Sequence, residues 1–174
     1  MFQRSSLGTT ARRFGWLFSL MVIAGCGPKY PATVPVTGQV TQGGIPVEGA
    51  TVTFTRGSGG LTEGETAIGK TDAKGRFELI THFGPQTSAQ GVVPGDYEVI
   101  ISKHVPPPGM TQSQYDAMVA FANKVGETGG MVPADKQPPP LVEKFPEHYS
   151  GRGKSRLKAS VPEKGPVELT FTLD

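Results

Sequence analysis

The chain has 174 residues, with 17 Lys and Arg against 15 Asp and Glu, and its formal charge of +2 excludes the strong basic field that nucleic-acid binding draws on. The length suits one domain beyond a short leader. Twenty-four glycines and 16 prolines exclude long helices from most of the chain, and a single cysteine excludes an internal disulfide, so the fold rests on packing alone.

At the start, Arg4, Arg12 and Arg13 precede an apolar run from Phe14 to Ala24 that is broken only by Gly15 and Ser19. A basic region, a short apolar core and small residues before a cut site make residues 1–25 a secretory signal, too short to remain as a membrane span. Losing it removes three arginines and no acid, which takes the formal charge from +2 to −1. Ile23-Ala24-Gly25-Cys26 resembles the lipobox of bacterial lipoproteins. That resemblance implies that the thiol of Cys26 is acylated, palmitate being one such chain, and that Cys26 becomes the new N-terminus and anchors the protein in a bilayer. Two or more acyl chains hold a protein on a membrane where one barely does. Gly27, in place of the aspartate that retains many lipoproteins at the inner membrane, implies the outer membrane. The plainer alternative is a secreted protein cut near Gly25 that carries a spare thiol.

Residues 26–35 contain three prolines and read as an extended tether without packed structure. From Val36 the apolar period is two. Val36, Gly38 and Val40 alternate with polar residues, Gln42-Gly43-Gly44 turns, and Ile45-Pro46-Val47 resumes at an edge. Ala50, Val52 and Phe54 form a half-buried strand, Arg56–Gly64 a glycine-rich loop, and Thr66–Thr71 a weaker strand. Asp72 and Gly75 make a tight turn, the aspartate accepting from its own backbone and the glycine taking positive φ. Phe77 and Leu79 share one face, 81–94 reads as a loop, and Tyr97, Val99 and Ile101 line the most apolar strand.

Pro106-Pro107-Pro108-Gly109 and Pro138-Pro139-Pro140 bracket an insertion over 104–140. Thr111 and Gln114 have capping-box spacing. Tyr115, Met118, Val119 and Ala122 follow on one face of a helix of about three turns, ended by Gly126. The helix is expected either to dock on the sandwich or to move. Leu157–Val161 and Val167–Leu173 then alternate cleanly as closing strands. About seven strands, one helix and turns between them predict an all-β fold over 36–174, an antiparallel Greek-key sandwich of two sheets.

Four segments in order carry a family likeness. They are Val36–Thr41 with Gly44–Phe54, Thr71-Asp72-Ala73-Lys74-Gly75-Arg76-Phe77, Pro94-Gly95-Asp96-Tyr97-Glu98-Val99, and Phe145–Ser150 with the final strand. Together they resemble carboxypeptidase-regulatory-like domains, and the whole mature chain resembles small lipoproteins of planctomycete bacteria. The resemblance implies a prealbumin-like (transthyretin-like) sandwich, exported and membrane-anchored.

Chemistry-bearing motifs are sparse. Asp72 and Gly75 fall far short of the oxygens calcium needs, so the turn is structural. His82, His104 and His148 are scattered, without metal-ligand spacing. Gly57-Ser58-Gly59 is no nucleophile elbow. The closing Y-R-G-S signature of transthyretin-like hydrolases is replaced by Tyr149-Ser150-Gly151-Arg152 in another order. A pilin-type isopeptide lacks its lysine on the first strand, the only asparagine, Asn123, lies in the insertion, and Asp174 has no evident partner. No catalytic residue, metal or cofactor is expected. Arg152, Lys154, Arg156 and Lys158 alternate and would project from one face if their strand begins early, meeting an anionic surface or, more simply, solvent. Tyr115, Met118 and Phe121 form the best candidate interaction face. The expected function is a structural or protein-interaction module of the envelope. Its partners would be the bilayer through Cys26 and an unidentified envelope protein or glycan. The alternative is a carbohydrate or peptidoglycan binder using Tyr30, Tyr115 or Tyr149. A transthyretin-like hydrolase is more distant.

Overall fold

Alternating β-branched and aromatic residues, punctuated by glycine turns, build strands throughout the computed structural model, which describes residues 30–56 and 66–174. Residues 1–25, read above as a signal, Cys26 and Gly27, and the loop residues 57–64 lie outside the described residues. The first strands are β1 (Val36–Gln42), β2 (Ile45–Pro46), β3 (Thr51–Thr55), β4 (Thr66–Lys70), β5 (Arg76–Glu78), β6 (Ile80–Gly84) and β7 (Thr87–Gln90). They are followed by β8 (Gly95–Ser102), β9 (His104–Val105), α1 (Gln112–Glu127), β10 (Val142–Glu143), α2 (Glu147–Ser150), β11 (Leu157–Val161) and β12 (Val167–Leu173).

The architecture is the expected all-β sandwich. One sheet runs β12-β1-β2, with β5 joining β1 beside β2, and the other runs β11-β8-β3-β4-β6-β7. Strand pairs are antiparallel except β1–β12, which lie parallel from Val36 opposite Val167 to Gln42 opposite Leu173. The inward residues of both sheets meet in one core, where Phe54, Leu79, Ile101 and Leu173 are fully buried. The Phe171 ring lies 6.4 Å edge-on from Phe54 and 6.2 Å stacked from Phe77. Gly38 makes room for this cluster, since a Cβ there would sit 2.3 Å from the Leu169 carbonyl oxygen and 2.6 Å from the Phe77 ring.

Four sequence expectations are corrected. Residues 81–94 are largely not a loop: β6 and β7 form a hairpin with a bulge between His82 and Gly84. Its anchor is buried Thr81, whose hydroxyl donates to Gly91 O at 2.7 Å, and an edge hairpin that buries a threonine shows little apolar periodicity. The tether is packed from Tyr30 onward. Val34 is 5% exposed and exchanges two hydrogen bonds with Val92, and Tyr30 stacks on Phe83 at 4.9 Å. Helix α1 runs 16 residues and passes through Gly126, ending at Thr128, whose hydroxyl donates to Val125 O. A second helix, α2, is one turn that buries Tyr149, too short to leave a periodic trace.

Candidate interaction surfaces

The Asp72 turn forms as the sequence predicts. Asp72 Oδ1 accepts from the Lys74 and Arg76 amides, each at 2.8 Å, and Gly75 has φ +73°. A Cβ at Gly75 would lie 2.5 Å from Val40 O, because Gly75 O takes the Val40 amide and docks the turn on β1. The Arg76 amide, first, holds the Asp72 carboxyl below its ordinary value of 3.8, with the Lys74 amide adding to it.

The Pro94-Gly95-Asp96-Tyr97 segment also has a structural purpose. Tyr97 donates its hydroxyl to Val93 O at 2.6 Å, and the Arg56 guanidinium lies over its ring at 5.1 Å while donating to Pro94 O. Gly95 leaves the space: a Cβ there would strike Arg56 Nη2 at 2.1 Å. Buried hydroxyls elsewhere are committed in the same way, Thr71 to Ala50 O and Ser155 to Val99 O.

The four basic residues do not share a face. Strand β11 starts only at Leu157, so Arg152 and Lys154 lie in the preceding turn and Arg156 in the short link that follows it. Lys154 pairs with Glu147 at 2.8 Å, Arg152 donates to Thr55 Oγ1, and Lys158 alone projects from the strand. The cause is Glu98, which the sequence reading passed over. Its carboxylate accepts from the Gly153 and Ser155 amides and curls this segment before the strand begins. Tyr149 is also unsuited to stacking on a sugar, being 7% exposed with its hydroxyl on Asp174 Oδ2 at 3.2 Å.

The insertion stands on a two-strand ribbon, β9 against β10. Glu143 staples its base by accepting from the Lys103 amide at 3.0 Å and the Phe145 amide at 2.9 Å, and Phe145 itself plugs the core at 4% exposure. Beyond the ribbon, α1 opens with the expected capping box: Thr111 Oγ1 accepts from the Gln114 amide, and Gln114 Oε1 accepts from the Thr111 amide. None of its residues is buried, and none joins the core. Tyr115, Met118, Val119, Ala122 and Val125 are half-buried, so the apolar stripe exists. What faces it is the returning segment 131–138 of the insertion. Ala122, Met131, Val132 and Pro138 surround a shallow recess, and Lys136 lies 5.3 Å over the Phe121 ring. Phe121 remains 39% exposed and Met131 93%.

A second candidate is a polar groove of about 660 Å³ on the outer face of the first sheet, lined by Thr37, Gln39, Lys70, Arg76, Glu168 and Thr170 among others. Among the described residues no group of three or more His, Cys, Asp or Glu is placed to hold a metal, and no helix is long and apolar enough to cross a membrane. His104 Nδ1 lies 4.0 Å from Glu143 Oε2. No family model, curated protein or solved structure matches this chain.

Proposed function

We propose that this protein is a non-catalytic envelope lipoprotein, anchored through acylated Cys26, whose sandwich is akin to carboxypeptidase-regulatory-like domains and displays a helical protein-interaction appendage. The observation that carries this reading is the appendage itself. A 16-residue helix with its own capping box stands outside the core on a stapled ribbon, and Phe121 and Met131 are left open to a partner. A helix this exposed contributes little to the sandwich, yet its ends and base are built with care. Buried hydroxyls and the Asp72 carboxylate are engaged in holding backbone, which supports a structural use of the polar groups. The outer membrane is the proposed site of anchoring.

Photo-crosslinkers placed at Phe121 and Met131 in native envelopes test the reading. Specific crosslinks to one envelope protein support it, and crosslinks confined to the protein's own residues overturn it. Replacing Cys26 with serine is expected to release the protein from the membrane fraction. The polar groove favours a second reading, a glycan binder, because its hydroxyl, amide and mixed charged groups suit a polyhydroxyl ligand. Glycan retention that is lost in Gln39→Ala would establish it.

A further inference from the structure

We infer that the free edge of β12 is a homodimerisation site, at which two copies of this chain join their first sheets antiparallel about Thr170. Among the described residues, strand β12 pairs on one side only, with β1. The Val167 amide donates to Pro35 O and Leu173 O accepts from the Gly43 amide, so Val167, Leu169, Phe171 and Leu173 turn their backbone groups toward β1. By the alternation of a strand, Glu168, Thr170 and Thr172 turn theirs outward. Among the described residues nothing takes these three N–H and three C=O groups. The open stretch has defined ends. Pro166 has no N–H to offer, and the Asp174 amide already donates to the Tyr149 hydroxyl at 3.3 Å.

The other edges of the two sandwich sheets are each protected. Strand β2 carries Pro46, β5 has three residues, β7 has four beside a bulge, and β11 projects Lys158 and is followed by Pro162. Natural sheets blunt their edges with such devices, and β12, seven residues without Lys, Pro or bulge, has Glu168 as its one charge. Its two inward residues nearest the start, Val167 and Leu169, stay half-exposed although they pack on the core, and an added strand would cover them.

The sequence of the edge selects a second copy and its register. Centred on Thr170, antiparallel pairing sets Thr170 opposite the partner's Thr170 and Glu168 opposite the partner's Thr172. All three outward residues of each copy are then bonded, and no like charges oppose. Centring on Glu168 would oppose two carboxylates. Centring on Thr172 would call on the Asp174 amide that Tyr149 already holds. A centre at Leu169 brings in Pro166, and one at Phe171 sets Glu168 against Asp174. A strand junction is smaller than a standard interface, so association in the micromolar range is expected.

The test uses the full chain in mild detergent, with Cys26→Ser to remove the native thiol. Directly opposed strand residues lie about 5.5 Å apart at Cα, within disulfide range. Thr170→Cys should therefore give a disulfide-linked dimer on mild oxidation, as should the double variant Glu168→Cys with Thr172→Cys, whereas Glu168→Cys alone should not. Thr170→Lys should abolish dimer sedimentation without changing the circular dichroism spectrum, because residue 170 is exposed on the outer face. A parent chain that sediments as a monomer at high concentration overturns the inference, as it would if other residues of the same chain cover this edge. Equal crosslinking by Glu168→Cys, or a dimer that survives Thr170→Lys, overturns it as well.

Discussion

Asp72 shows how much one exposed side chain can arrange. Its carboxylate collects two amides of its own turn, and the turn's glycine carbonyl in turn binds β1. The folded state favours the ionised form, so the stabilisation is fully present above the ordinary carboxylate value of 3.8 and disappears as pH falls through the lower folded value. Asp72→Ala should lower the melting temperature near pH 7, and the difference from the parent should shrink as the pH falls below the ordinary carboxylate value of 3.8, read by paired thermal melts. Gly38→Ala is the steric counterpart. Its Cβ would press on a backbone carbonyl and the Phe77 ring, and a cost of about 1–3 kcal/mol is expected in urea titration. Both positions could be read from the sequence, the first as a turn and the second only as a place on the inward face. The use of Gly95 was not legible, because the side chain it makes room for, Arg56, lies 39 residues earlier, just past the end of β3.

Elements with a strong period were legible, and those without one were not. β1, β3, β8, β11 and β12 alternate plainly, and the capping box of α1 is written in Thr111 and Gln114. The β6–β7 hairpin, the docked Val34 and the single turn of α2 bury one or two residues each, too few to mark a period. The row of basic residues misled for the opposite reason, since alternation in the letters was overruled by Glu98 taking two amides of the segment. Helix α1 contributes nothing to the core, so Thr111→Ala should cost about 1 kcal/mol locally. Hydrogen exchange would then rise over residues 112–127 while the melting temperature of the sandwich stays unchanged. Replacing 106–141 by an Asn-Gly turn should leave a ribbon of β9 and β10 and a folded sandwich, checked by near-ultraviolet circular dichroism.

The molecule depends on a few residues where its parts join. Phe145 roots the appendage in the core, so Phe145→Ala should cost about 3–5 kcal/mol and loosen both appendage and sandwich together in denaturant unfolding. The two-layer architecture was legible because apolar residues occur at every second position along most of the chain. Which strands became neighbours was not, and the parallel contact of the first strand with the last was hidden entirely. That contact joins Thr41 to Thr172, 131 positions apart. During synthesis Val36 and Val40 therefore wait for a segment that emerges far later, and long-range closure of this kind is slow. Under the export proposed above, the delay would keep the polypeptide threadable until it has crossed the membrane. The sandwich thus latches only when the β12 ribbon arrives.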